Sequence, residues 1–218
     1  MAKYEIEQRG KLSEEKFHEL DKLFRKDGKF VDVKKRLSLI WCTSKEKISE
    51  VKDEKIDLRL RVTNGEGEVV LKHGKWSGSD SRKEFSFPVK DADNFWDYLE
   101  FVRILGYHKF LVTDTIKNDY HYKGIEFSLV EIPKWGYYFE AEILVDEDGI
   151  EAANRKIEEI VHSVGLELID ETGYHELLDS INARPGSRID LDTVDMDDLK
   201  FKFEVYFCLL YTSPSPRD

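Results

Sequence analysis

Acidic and basic side chains recur at a spacing of two along this sequence. Glu5 and Glu7 are followed by Arg9, Arg59 is followed by Arg61, Arg82 by Glu84, and Glu140 by Glu142. Lys72 ends an alternating stretch, EVVLK. Successive side chains of a strand point to opposite faces, so each such pair lies on one face together. Like carboxylates at that distance repel unless water or a cation screens them. If these faces curl inward, carboxylates and guanidinium groups share one concave space and need a ligand that answers both. A divalent cation with a polyphosphate does so, since hard oxygens suit magnesium or manganese and arginine forks suit phosphate. The same pattern also describes solvent faces paired by cross-strand salt bridges, and the residues alone leave both readings open.

The elements that would carry these residues read as follows. YEIEQRGKL is a strand. Ser13 then caps a helix with Glu14 and Glu15 in its first turn, Phe17, Leu20 and Phe24 at helical spacing, and Gly28 as its stop. FVDVKKRLSLIWC and KIDLRLRV are strands, and TNGEG turns into the strand EVVLKHGKW. SRKEFSFPV is a further strand, and residues 91–105 form a helix with Phe95, Leu99 and Val102 on one face. KFLVTDTI, IEFSLVEI and YYFEAEILV follow as strands. Ile150, Ala153, Ile157, Ile160 and Val164 mark an amphipathic helix, YHELLDSI a shorter one, and FKFEVYF a closing strand.

Composition sets the bounds. The chain has 218 residues, 40% of them hydrophobic, enough for one full core in one domain. A net charge of −11 argues against a nucleic-acid partner, which would want a basic surface. No apolar run could span a bilayer and no signal-peptide core opens the chain, so neither membrane nor export is expected and the cytoplasm is the expected compartment. Cys42 and Cys208 cannot make a disulfide framework or a cysteine zinc site, and the six histidines are scattered. No P-loop or GxGxxG stands before a helix. The last eleven residues, CLLYTSPSPRD, read as translated DNA-library adapter and are set aside. The expected organisation is one domain over 1–182, a C-terminal extension over 183–207 that such an ending could have truncated, and a non-native tail over 208–218.

Taken in order, these segments resemble the CYTH superfamily, the triphosphate tunnel metalloenzymes. EIEQR is similar to the E-x-E-x-K signature that opens that family, LRLR to its arginine strand, VVLK to its lysine strand and RKE to its R-x-E strand. IPKWGYYFEAE is similar to the late stretch ending in E-x-E, and GYHELL to the short helix after the barrel. The resemblance covers about residues 3–181.

The resemblance implies an α+β fold, a closed antiparallel eight-stranded tunnel barrel with helices packed on the outside. It implies a metal-dependent phosphohydrolase acting on inorganic, nucleoside or thiamine triphosphate with Mg2+ or Mn2+. A class IV adenylate cyclase and a non-catalytic polyphosphate-binding module are the alternatives, and a homodimer is left open. Glu5, Glu7 and Arg9 are the implied catalytic residues, and Glu5, Glu7, Glu140 and Glu142 the metal ligands. Arg9, Arg59, Arg61, Lys72, Arg82 and Lys117 would bind phosphate, with Lys75 a further addition and Glu84 orienting Arg82 or its neighbours. For a cyclase, Trp41, Trp76 and Tyr137 are the candidates to stack on a base. Two departures bear on activity. Arg9 stands where the family has lysine, and arginine cannot give up its proton to act as a base. Val130 stands where many members carry a metal-supporting aspartate, and the basic pair expected before Tyr120 is reduced to Lys117.

Overall fold

A computed structural model of the chain describes residues 4–41, 56–73 and 83–207. Eight antiparallel strands form one curled sheet: β1 (Tyr4–Leu12), β2 (Lys29–Trp41), β3 (Ile56–Thr63), β4 (Glu66–His73), β5 (Lys83–Val89), β6 (Lys109–Tyr122), β7 (Ile125–Ile132) and β8 (Gly136–Val145). Their order across the sheet is β1-β8-β7-β6-β2-β3-β4-β5. A three-residue strand, β9 (Arg188–Asp190), pairs with β6. Two tight hairpins run the way the glycines dictate. Asn64–Gly65 and Lys123–Gly124 each take two successive positive φ angles, matching the right-handed twist of the strands they join.

Helices cover the convex face. The helix α1 (Glu14–Asp27) starts where the Ser13 hydroxyl accepts from the Lys16 N–H at 3.1 Å, and ends where the Gly28 N–H reaches the Phe24 carbonyl. Its Phe17, Leu20 and Phe24 bury against Tyr120, Phe127 and Phe139 together with Ala153, Ile157 and Val161 of α3 (Ile150–Ser163). A second convex core joins Leu37, Leu39, Leu60 and Val62 to Phe95, Leu99 and Val102 of α2 (Ala92–Ile104). No helix among the described residues is long and apolar enough to cross a membrane.

Three expectations meet different outcomes here. The α+β class and the eight antiparallel strands are as expected, and among the described residues they form a curl in which β1 pairs with β8 and β5 with β4. Pro88, with no N–H to donate, sits on the edge strand β5, where proline is tolerated. Second, FKFEVYF is not a strand but part of the helix α5 (Met196–Phe207). The Asp195 carboxylate accepts from the N–H groups of Asp197 and Asp198, which starts a helix, and Leu199 and Phe203 bury one turn apart in the second core. The segment 183–207 thereby completes the same core as β2 and β3. Third, not every helix lies outside. From α4 (Glu171–Asn182), Leu177 and Ile181 pack on Val130, Ile132 and Tyr138. Those strand residues lie in register with the inward row Glu126, Ser128, Glu140 and Glu142, so α4 caps the concave side.

Candidate functional site

The charged rows do curl inward. One cavity of about 440 Å³ is lined by Glu5, Glu7 and Arg9 of β1, Arg59 and Arg61 of β3, Lys72 of β4, Glu84 of β5, Lys117 of β6, and Glu140 and Glu142 of β8. Period two explains why each strand contributes its residues together, and register explains why they meet. Glu7 stands opposite Glu142 and Arg9 opposite Glu140 across β1–β8, while Asp57 stands opposite Lys72 and Lys72 opposite Glu84. Of the residues expected from sequence, Arg82 and Lys75 lie outside the described residues. So does Trp76. Trp41 is buried in the convex core with its indole N–H on the Tyr107 carbonyl, and Tyr137 packs on Phe17, so neither lines the cavity.

The polar contacts divide the cavity in two. On the β1–β8 side, Arg9 Nη2 lies 2.6 Å from Glu7 Oε1 and its Nε 3.3 Å from Glu140 Oε1. Lys117 Nζ closes on the other oxygen of Glu140, and the Tyr174 ring of α4 covers the Arg9 guanidinium at 4.9 Å. Burial alone would raise the Glu140 carboxyl, but Lys117 and Arg9 overcome it and hold it well below the usual carboxylate range. Burial pushes the Glu7 carboxyl up; Arg9 opposes this and Glu140 adds to it. Glu142 is pushed up to about 8, by burial and then by Glu5, Glu7, Glu126 and Glu140 around it.

On the β3–β4–β5 side, Arg61 Nε sits 2.6 Å from Glu68 and its Nη2 3.1 Å from Glu84. Lys72 reaches the second oxygen of Glu84 at 2.8 Å. Among the described residues the groups that Glu84 holds are Arg61 and Lys72. Arg59 is clamped by the buried Asp57, its Nε donating at 2.8 Å. Burial tends to raise the Glu84 carboxyl, yet Lys72 and Arg61 keep it below its ordinary value.

Several cavity residues escaped sequence reasoning: Lys34, Arg36 and Ser38 on β2, Thr115 and Asp119 on β6, and Glu126 on β7. The alternation Lys34, Arg36, Ser38 against Leu37, Leu39 was visible in FVDVKKRLSLIWC. Nothing local said which of the two rows would be concave.

Among the described residues no three His, Cys, Asp or Glu side chains are gathered tightly enough to hold a metal ion as they stand. The donor chemistry nonetheless suits one. Glu5, Glu7 and Glu142 bring hard oxygens from adjacent strands, and burial together with the neighbouring carboxylates raises the Glu142 carboxyl. Val130 is fully buried beneath α4 and offers no ligand.

No family model and no curated protein matches the sequence. Solved structures do match the fold. The PH1819 protein of Pyrococcus horikoshii is 27% identical with a TM-score of 0.63, over 80% of this chain and 98% of that one. The Hippeastrum protein HpAC1, a candidate adenylyl cyclase with a dominant triphosphatase activity, is 15% identical with a TM-score of 0.56, over 84% of this chain and 98% of that one. A candidate adenylate cyclase from Vibrio parahaemolyticus is 12% identical with a TM-score of 0.58, over 77% and 91%. The chain therefore has the curled antiparallel α+β architecture of these proteins.

Proposed function

We propose that this protein binds a triphosphate compound with magnesium or manganese and hydrolyses one of its phosphoanhydride bonds. The observation that carries the reading is the convergence of both charges on one cavity, carboxylates from β1 and β8 facing arginines and lysines from β2, β3, β4 and β6. Glu5, Glu7 and Glu142 would hold the cation, with Glu140 kept ionised beside them by Lys117 and Arg9. When bound, a divalent cation would neutralise phosphate oxygens and lower the pKa of a water molecule.

Arg59, Arg61, Lys72 and Lys117 already hold carboxylates, so substrate binding is an exchange of partners in which phosphate oxygens take their place. Charge-assisted forks of this kind are strong and directional. Arg9, always protonated, serves as a clamp on phosphate and not as a base. The reading includes closure of the curled sheet into a tunnel, with β5 brought against β1. It also takes the solvent compartment to be the cytoplasm.

Hydrolase ranks above cyclase because Trp41 and Tyr137, two of the three aromatics that could have stacked on a base, lie on the convex side. A non-catalytic phosphate-binding module is the second reading, motivated by Arg9 and by the burial of Val130. Purified protein is incubated with tripolyphosphate, ATP or thiamine triphosphate and magnesium or manganese, and phosphate and cyclic AMP are measured. Phosphate release that EDTA abolishes is expected. Cyclic AMP with pyrophosphate from ATP would put the cyclase first. Tight binding without turnover in a folded sample would put the module first.

A further inference from the structure

We infer that Arg36, Thr115 and Ser38 form an anion subsite on the β2–β6 wall that receives a phosphoryl group before any carboxylate has to let go of its cation. Nothing in the sequence signatures points to these three residues. The inference deepens the triphosphate reading and rests on it.

Every other basic side chain lining the cavity is committed. Arg9 and Lys117 hold Glu140, Arg59 holds Asp57, Arg61 and Lys72 hold Glu84, and Lys34 holds Asp119. Arg36 makes no ion pair among the described residues; its Nε donates to the Thr63 hydroxyl at 3.0 Å, which leaves the outer edge of the fork unused. Burial, and then the neighbouring Arg61 and Arg59, lower the Arg36 pKa, while Glu140 and Glu68 oppose them. Burial penalises either sign of charge, but an anion placed beside the clustered guanidinium groups of Arg36, Arg61 and Arg59 is attracted by all three.

The neighbouring wall is polar in the matching way. Arg36 stands directly opposite Thr115 across β2–β6, and Ser38 opposite Thr113 on that side and Arg61 on the other. All of these line the cavity. Thr115 is about 93% buried, and its hydroxyl finds no hydrogen-bond partner among the described residues. An unmet buried hydroxyl is disfavoured, and it stops being so when a ligand oxygen supplies the partner. Ser38 is buried as well. A guanidinium fork, two hydroxyls and the edge of a second guanidinium match a tetrahedral oxyanion, for which fork geometry and hydroxyl donors are both suited. The class of ligand is a phosphoryl group of the triphosphate chain, held without a metal.

Titration calorimetry with inorganic tripolyphosphate in EDTA tests this on the full chain. The wild type should bind, Arg36→Gln should weaken binding roughly ten- to a hundredfold, and Arg36→Lys should recover part of it, since a point charge replaces the fork. Thr115→Val gives the signature that a purely structural residue would not. It should raise the melting temperature of the ligand-free protein, by removing the unmet hydroxyl, while weakening tripolyphosphate binding several-fold. If Arg36→Gln fails to fold, Arg36→Lys and Thr115→Val decide the matter. Wild-type affinity in the folded variants would overturn the subsite and leave the triphosphate reading standing. A wild type that binds no tripolyphosphate, with or without magnesium, would overturn both.

Discussion

Replacing Glu142 by glutamine probes the carboxylate end of the cavity where its electrostatics are most strained. In the folded chain this carboxyl is pushed up to about 8 by burial and by Glu5, Glu7, Glu126 and Glu140. In the unfolded chain it returns to about 4.3. Below that value both states carry the proton and the full stability is present. As pH rises towards 8 the unfolded chain releases its proton and the folded one keeps it, so stability falls. At about 1.4 kcal/mol per pH unit the loss would approach roughly 5 kcal/mol, and because Glu142 is only partly buried, solvent screening reduces it to about 2–3 kcal/mol. Glutamine keeps the shape and removes the charge. Thermal melts in EDTA should therefore place Glu142→Gln about 4–10 °C above wild type at pH 8.5, with the two coinciding near pH 4.5. Magnesium at pH 8.5 should narrow the gap by raising the wild type. A variant that melts at or below wild type at pH 8.5, or that gains as much at pH 4.5, would refute the reasoning.

Changing both Glu5 and Glu7 to glutamine should lower phosphate release at least a hundredfold while leaving the urea midpoint equal or higher, because it relieves carboxylate repulsion around Glu142. Gly10→Ala should cost about 2–3 kcal/mol in urea unfolding, since an added Cβ would lie 2.1 Å from the Glu167 carbonyl and 2.4 Å from the Phe139 ring. Phe203→Ala should cost about 3–4 kcal/mol by opening the second core, whereas Phe201→Ala, at a position 80% exposed, should stay within about 0.5 kcal/mol.

The sequence by itself determined the strands and the pairing of charges on their faces. Glu5 with Glu7, Arg59 with Arg61 and Glu140 with Glu142 had to share faces, because alternation in a strand is a local property of the backbone. It also determined the caps at Ser13 and Gly28 and the hairpin at Asn64–Gly65, which depend on a few neighbouring atoms. The tertiary structure decided what local rules leave degenerate. FKFEVYF offers period two through Phe201, Phe203, Val205 and Phe207, and it also completes a helical spacing from Leu199 to Phe203. The cap at Asp195 and the apolar convex surface of β2 and β3 selected the helix. The amphipathic α4 could have covered either face, and the apolar end of the inner row at Val130, Ile132 and Tyr138 drew it inside. Arg36 and Thr115, 79 residues apart in the chain, became neighbours only when β2 and β6 paired in register. Which row of a strand becomes concave depends on the twist and order of the whole sheet, and so a strand's sequence can show that its charges stand together without showing that they face one another.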